Sequence, residues 1–322
     1  MIFMQKTGCS ILIPTRPQPD TVVAIFLLKT FGKEKFPGIE HAVVAVRPTL
    51  PPGDTFETLL KQNIVAIDLG GGALDHHGKD HCTTELVAQY LGVDKDPSLA
   101  RLIAYARRDD REGKGTLSTD AIDRAFGLSG LIASLNKLHT GNPDLVVSSV
   151  LPLLEAHYVS ARQHHVELPQ EVAQKKKEGN YEERPVSQKG KKLLMVCVVS
   201  DKPSMPTYLR SQQGPHADIV VQKMEATNHV CILSRQERKI DLSKIAALIR
   251  MREAELSGAT LPEEEAYLEQ TGRIKEIANW YFDPATNSIL NGGAHNRDVA
   301  ESRIPWEELK NIVHVGLQIG GK

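Results

Sequence analysis

Short apolar runs alternate with longer helical stretches near the N-terminus, and this alternation restricts the fold more than any other feature of the chain. Runs of strand length occupy residues 10–14, 42–46 and 64–67, and segments 21–31 and 55–61 between them have helical length. A βαβαβ order of this kind brings the strands together in a parallel sheet with helices on its faces. The sequence therefore predicts an α/β N-terminal domain.

A charged segment at 174–192 is predicted to divide the chain, because it contains almost no apolar residue and is rich in Lys and Glu. The sequence predicts a parallel-sheet domain over 1–173, this segment as a linker, and a smaller α/β domain over 193–322. Within the second domain, the Glu- and Leu-rich stretch 252–279 is predicted to be an inserted helical hairpin that reshapes the cleft between the domains or forms the contact of a homodimer.

Charge and cysteine content exclude several classes of protein. The 39 Lys and Arg residues nearly balance 40 Asp and Glu residues, so no global basic field attracts nucleic acid or acidic lipid. The four cysteines, Cys9, Cys82, Cys197 and Cys231, form no CxxC pair. No apolar run approaches the ~20 residues that a bilayer span requires. A cytoplasmic protein without membrane contact is therefore predicted.

The loop after the third predicted strand carries two carboxylates and two imidazoles. Strand 64–67 runs directly into Asp68, and Asp75, His76 and His77 follow a glycine-rich turn. Open α/β sheets build their sites at the carboxyl ends of parallel strands. Carboxylate and imidazole ligands suit Mn²⁺, Mg²⁺, Fe²⁺ or Zn²⁺. The alternative is a loop in which Asp68 caps the next element and the histidines lie on the surface.

The segment consists of a strand that ends in Asp, a glycine-rich loop and an Asp-His-His sequence. It resembles the DHH phosphoesterase superfamily and is closest to the pattern of the MYG-type exonucleases in that superfamily. In that superfamily one or two divalent metals, commonly Mn²⁺, activate water to attack phosphorus. The resemblance implies that Asp68 and His76 are metal ligands. It also implies a catalytic pair in which Asp75 orients a histidine and His77 contacts the substrate phosphate.

A further ligand in the superfamily is an aspartate after a downstream helix, and Asp109 and Asp110 follow the predicted helix 97–106. Adjacent residues point in different directions, so the sequence leaves open which of the two faces the metal. Arg108 is predicted to bind substrate, because a guanidinium can make bidentate contacts with phosphate. The alternative is an exposed charge run at a helix end.

The first superfamily motif, His-x-x-x-Asp-x-Asp, is only partly present. Asp20 matches its first aspartate, whereas Arg16 stands at the histidine position and Val22 at the second aspartate position. Arg16 cannot coordinate a cation but can supply fixed positive charge, so it is predicted to bind the substrate anion. Asp20 is predicted to be a metal ligand, with an N-cap of the following helix as the alternative.

Two C-terminal motifs resemble the DHH-associated substrate-binding domain. One is Ser-Arg at the end of a predicted strand, and the other is a Gly-Gly-Ala-His loop, whose backbone amides can approach a phosphate. The predicted substrate-binding residues are Arg235, Gly292, Gly293 and His295. An ordinary hairpin turn is the alternative for the glycine-rich loop.

Together these features predict a metal-dependent phosphoester hydrolase, of exonuclease or nanoRNase type, that uses Mn²⁺ or else Mg²⁺, Fe²⁺ or Zn²⁺. Its partner is predicted to be a short single-stranded nucleic acid or a nucleotide, because a basic groove for long duplex is missing from the charge pattern. The competing interpretation is a non-catalytic nucleotide- or phosphate-binding sensor that retains the fold.

Overall fold

The computed structural model describes residues 8–113, 118–292 and 298–319. The chain divides into two compact units, Met1–Gln163 and His164–Lys322. The first unit contains a parallel three-stranded sheet, and the second contains a separate mixed sheet of six strands. These findings confirm the predicted α/β class and the parallel sheet of the N-terminal part. Among the described helices, none has the length and apolar character needed to cross a membrane.

The sheet of the first unit consists of β1 (Ser10–Ile13), β2 (Val43–Val46) and β3 (Ile64–Ala66). Its order is β2-β1-β3, and both neighbouring pairs are parallel. The predicted βαβαβ order is therefore confirmed. Because all three strands run the same way, the turns after β1 and β3 emerge at one edge of the sheet.

Seven helices of the described residues belong to the first unit. They are α1 (Pro19–Phe31), α2 (Phe56–Leu60), α3 (Thr83–Leu91), α4 (Ala100–Glu112), α5 (Ala121–Phe126), α6 (Leu128–Leu138) and α7 (Pro143–Arg162). Helix α1 is apolar all round, and residues 22–28 are buried in the core. Its burial fixes the turn between β1 and α1. Helices α5 and α6 are separate because the backbone of Gly127 between them is extended.

The second unit has a six-stranded sheet in the order β4-β5-β6-β7-β9-β8. Its strands are β4 (Tyr181–Gln188), β5 (Lys191–Val199), β6 (Ile219–Lys223), β7 (Val230–Ser234), β8 (Trp280–Asp283) and β9 (Ser288–Asn291). Only β5 and β6 pair in parallel among the described strands of this sheet. The helices are α8 (Leu168–Lys177), α9 (Met205–Arg210), α10 (Ser243–Ser257), α11 (Glu265–Leu268) and α12 (Trp306–Ile319).

The predicted linker at 174–192 is wrong, because these residues form the end of α8, strand β4 and the turn into β5. Strand β4 lies at the edge of the sheet, where Pro185 is tolerated and charged side chains face water. Its composition therefore matches that of a linker, although Val186 is buried in the core. The boundary between the compact units lies ten residues earlier than the predicted one, after Gln163 instead of after residue 173.

The predicted helical hairpin at 252–279 is also wrong. Helix α10 ends at Ser257, α11 is a single turn, and the chain then runs without regular structure to β8. The fully buried Arg250 organises this stretch. Its guanidinium donates hydrogen bonds to the carbonyls of Leu268, Gln270 and Gly272 at 2.6, 2.9 and 2.6 Å. A buried cation therefore replaces the helical hydrogen bonds that the composition suggested.

An ion-pair network joins edge strand β4 to α12. Arg184 donates two hydrogen bonds to the carboxylate of Glu182 at 2.6 and 3.0 Å, and Lys310 donates a third at 2.9 Å. The hydrogen bonds from Arg184, followed by those from Lys310, lower the pKa of Glu182 from 4.5 to about 2. Glu182 therefore stabilises the fold above pH 4.5, and this contribution is lost as the pH falls towards 2.

We expect Glu182→Gln to lower the free energy of unfolding at pH 7 by less than ~1 kcal/mol, because the Glu182 side chain is 39% exposed and solvent screens the pairs. The difference from the parent protein should shrink progressively between pH 4.5 and 2. Urea unfolding at pH 7, 3 and 2 measures it. The exposed Glu263→Gln variant is the control. A difference that is independent of pH would contradict the assignment.

Candidate metal centre

Asp68 lies immediately beyond β3, in the left-handed region with φ of 58°. Aspartate is one of the few non-glycine residues that adopts this conformation routinely. The backbone N–H of Asp68 donates to the carbonyl of Leu74 at 3.0 Å, which closes the glycine-rich loop behind it. This turn holds the Asp68 carboxylate in a largely buried position, with 17% of the side chain exposed.

Asp75 holds the loop and orients His77. One carboxylate oxygen accepts the N–H of Gly71 at 2.6 Å, and the other accepts the N–H of His77 at 3.0 Å and lies 2.6 Å from His77 Nδ1. Burial opposes ionisation of Asp75, but these hydrogen bonds together lower its pKa. In return, the hydrogen bond to Asp75 raises the pKa of His77. The pair is an anchored carboxylate beside an exposed imidazole that favours its protonated form.

His76 lies between Asp68 and the carbonyl of His81. Its Nδ1 is 3.1 Å from that carbonyl oxygen, and its Nε2 is 2.9 Å from Asp68 Oδ1. A ring that donates its Nδ1–H to a backbone carbonyl leaves a lone pair on Nε2, the arrangement commonly found in histidines that bind metals. The Nε2 lone pair then lies close to the carboxylate of Asp68.

The buried oxygen Asp68 Oδ1 has no hydrogen-bond donor among the described residues, although His76 Nε2 is only 2.9 Å away, because the two groups are not aligned for a hydrogen bond. Burial, which outweighs the attraction of His76 and His77, raises the pKa of Asp68. A buried acceptor without a donor, beside a second acceptor that does not point at it, is unfavourable alone and is stabilised by a cation that both can bind. The residues present therefore fit a divalent ion.

Two overlapping groups of side chains could hold metal ions, and both contain His76. One group is Asp68, His76 and His77, and the other is Asp20, His76 and Asp110; within each group the ligand atoms lie within 4.8 Å of one another. Asp110 Oδ2 is 3.5 Å from His76 Nδ1. The arrangement can accommodate one ion beside Asp68, with a second position beside Asp110.

The structure distinguishes between the two candidate aspartates of α4. Asp110 joins the group around His76, whereas Asp109 is buried and accepts a hydrogen bond from the Ser129 hydroxyl. Ser129 in turn lies 2.6 Å from the Tyr105 hydroxyl. The structure therefore brings Asp110, and not Asp109, into this group, because successive residues of a helix point about 100° apart.

Asp20 is buried in the first turn of α1, but its carboxylate serves another helix. Its two oxygens accept the backbone N–H groups of Thr83 and Thr84 at 2.9 and 2.8 Å, at the start of α3. The N-cap of α1 is Gln18, so the alternative of Asp20 as that cap is wrong. Each Asp20 oxygen retains a second lone pair, so ligation and capping of α3 are compatible.

The contribution of α3 to the site was not predicted from the sequence. Cys82 and Glu85 form a reciprocal capping pair in which Glu85 accepts the N–H of Cys82 at 2.9 Å. A capping residue followed three positions later by Glu marks the start of a helix, where backbone N–H groups have no partner within the helix. This signal could have indicated donors near the site. Burial, followed by the charge of Asp20, raises the pKa of the Cys82 thiol. Cys82 belongs to neither group of candidate ligands among the described residues.

The predicted phosphate-binding arginines of the first unit each line a cavity. Arg108 lies 5.6 Å from the centre of the Tyr105 ring and lines a small cavity of about 190 Å³ with Arg124. It is two residues from Asp110 and therefore projects from a different side of α4. Arg16 is exposed on the turn after β1 and lines a larger cavity beside β2.

The C-terminal candidates lie in the second compact unit. Arg235 donates to Asp218 at 2.9 Å and lies 3.3 Å from Glu237, so its charge is largely compensated. Gly292 has φ of 71°, and a Cβ there would lie 2.7 Å from the ring of His229, so the position requires glycine. Gly293 and His295 lie outside the described residues, and their predicted roles stay predictions.

Comparisons with known proteins leave the family open. No family model matches the chain, and no curated protein matches it. One similar solved structure is described as the DHH domain of a member of a family of ribosomal proteins; it shares 13% identity and covers 78% of this chain and 80% of its own, with a TM-score of 0.25. A likeness at that TM-score carries no argument, so membership of the DHH superfamily stays a prediction from the motif residues.

Proposed function

We propose that the protein is a metal-dependent phosphoester hydrolase that acts on short oligonucleotides or nucleotides. The observation that supports this proposal best is the buried oxygen Asp68 Oδ1, which has no aligned donor in the described structure and lies 2.9 Å from His76 Nε2. A structural loop would pair such an oxygen with a hydrogen-bond donor. A cation-binding site instead directs several acceptors at one point.

The donor set indicates the class of metal. Asp68, His76 and Asp110 offer oxygen and nitrogen, Asp20 adds a further carboxylate, and the nearby thiol of Cys82 is protonated because its pKa is raised. Hard and borderline ions such as Mn²⁺, Mg²⁺, Fe²⁺ and Zn²⁺ accept this mixture, whereas ions that select thiolate do not. Mn²⁺ is the ion we propose, because the resembling superfamily commonly uses it.

When bound, the metal lowers the pKa of a water molecule and polarises a phosphoryl oxygen. Asp68 and His76 hold the ion, and the turn after β3 sets their positions before substrate arrives. His77 is 71% exposed and favours its protonated form through Asp75, so it can donate a proton or a hydrogen bond to phosphate oxygen. Asp75 thus acts as a positioning residue for His77.

A non-catalytic nucleotide or phosphate sensor is the second candidate, and one observation favours it. Arg16 stands where the motif has a histidine, and Val22, where the motif has a second aspartate, is buried in the core. The metal position beside Asp110 therefore has fewer available ligands than the first superfamily motif provides. In a sensor, phosphate would bind with little or no hydrolysis.

Hydrolysis of end-labelled oligonucleotides of about two to ten nucleotides distinguishes the two candidates. The full chain should cleave them with Mn²⁺ and lose this activity in EDTA, with a smaller rate in Mg²⁺. RNA and DNA versions of each length identify the substrate. Binding of the same oligonucleotides without cleavage in any of the four metals would contradict the hydrolase and support the sensor.

A further inference from the structure

A cavity of about 690 Å³ lies along the outer edge of β2. Strand residues 43–46 form one wall, and segment 136–144, from the end of α6 to the start of α7, forms the opposite wall. Arg16 and Pro17, on the turn after β1, complete the lining. This volume is within the range of pockets that hold small ligands.

The cavity does not offer a free sheet edge to another strand. The N–H of Val44, which points away from β1, donates to Asp144 Oδ1 at 2.9 Å. Asn136 Nδ2 donates to the carbonyl of Pro17 at 2.8 Å and ties the far wall to the turn after β1. Because a side chain occupies the edge and the far wall is tied to that turn, the cavity suits a compact ligand better than an extended peptide.

The chemistry of the lining favours an anion with an apolar part. Arg16, Lys137 and His139 bring cationic or protonatable groups, and within the described ranges no acceptor is recorded for the side chains of Arg16 and Lys137. Asp144 is the only carboxylate of the lining, and it already accepts the N–H of Val44. Val46, 42% exposed, supplies apolar surface beside these charges.

We propose that this cavity binds a nucleotide, with Arg16 and Lys137 on its phosphate and the valine wall of β2 against its base or sugar. The nucleotide class rests on the proposed function, whereas the anion and apolar contacts rest on the cavity alone. Arg16 and Asp20 belong to the same short segment after β1. A ligand held by Arg16 is therefore anchored on the segment that also carries a candidate metal ligand.

Isothermal titration of the full chain with AMP in EDTA tests this pocket without the metal. We expect Lys137→Glu to weaken AMP binding by at least about ten-fold, since a charge-assisted contact contributes ~1.5–3 kcal/mol. Val46→Trp fills the cavity at an exposed position and should also weaken binding while leaving the fold intact. The exposed Lys95→Glu, outside the lining, carries the same charge change and should leave binding unchanged.

Separate titrations with inorganic phosphate and with adenosine measure the contribution of the phosphate contacts and that of the apolar contacts. AMP that binds more tightly than either one supports the proposal, whereas phosphate that binds as tightly as AMP contradicts the apolar contact. The proposed pocket is contradicted if AMP still binds to both the Lys137→Glu and the Val46→Trp variants, or if only Asp68→Asn abolishes AMP binding. This holds even if the protein hydrolyses oligonucleotides. AMP binding that depends on Lys137, in a protein without hydrolytic activity, supports the pocket and contradicts the proposed function alone.

Discussion

Asp68→Asn is expected to reduce hydrolysis of short oligonucleotides by at least ~100-fold. Loss of a partner that merely orients a metal ligand typically costs about 10–100-fold in affinity or activity, and loss of a ligand should cost no less. The amide oxygen of asparagine carries no net charge, and its NH₂ group can donate to His76 Nε2, which lies 2.9 Å from Asp68 Oδ1. In the variant, a hydrogen bond from the asparagine side chain to His76 therefore replaces the cation that we propose beside Asp68.

The fold should survive this change. Asparagine adopts positive φ about as readily as aspartate, so the left-handed turn at residue 68 is retained. Burial of the Asp68 carboxylate raises its pKa, which means that the charged form is unfavourable in the metal-free protein. Circular dichroism and thermal unfolding check the fold, and the exposed Asp94→Asn is the matched control. Less than a five-fold loss of kcat/KM in a folded variant would contradict the metal role.

Arg250→Met is expected to lower the free energy of unfolding of the second unit by about 3 kcal/mol. The guanidinium donates to three carbonyls, of which that of Gly272 also accepts the N–H of Phe282 at 3.0 Å. The variant removes the Arg250 donor from the carbonyls of Leu268 and Gln270, and each buried acceptor left without a donor costs ~1–3 kcal/mol. Methionine has comparable length, so the loss reflects hydrogen bonds more than packing. Both tryptophans of the chain, Trp280 and Trp306, lie in this unit, and their fluorescence in urea follows its unfolding.

Arg252→Met provides the control for this measurement. Arg252, on the same helix as Arg250, pairs with Glu255 of that helix and with Glu308 of α12, and exposed pairs contribute ~0–1 kcal/mol. The fluorescence midpoint should therefore move much less in Arg252→Met than in Arg250→Met. Equal midpoints in the two variants would show that the carbonyls near α11 do not depend on Arg250.

Regular patterns allowed the first sheet and the loop of the candidate metal centre to be predicted from sequence. Strand runs separated by helical lengths indicated the parallel sheet, and the position of Asp68 directly after a strand placed it at the carboxyl edge. His76 and His77 then had to lie within a few residues of that edge. This local proximity is why both come within reach of Asp68 in the structure.

Features that depend on the environment of a residue could not be predicted in the same way. The charged residues of β4 match the composition of a linker, because an edge strand exposes one face to water. The choice between Asp109 and Asp110 depends on the rotation of α4 against Ser129. Capping of α3 by Asp20 joins residues more than sixty positions apart, and no local pattern contains such a contact.

Titration of the full chain with Mn²⁺ tests the central claim most directly. We expect the wild-type protein to bind Mn²⁺. The Asp68→Asn, His76→Ala double variant should lose at least one bound ion per chain, because the Asp68 carboxylate and the His76 imidazole are removed from the centre. The Asp94→Asn variant should titrate like the wild type. Unchanged stoichiometry and affinity in the folded double variant would contradict a metal centre at Asp68 and His76.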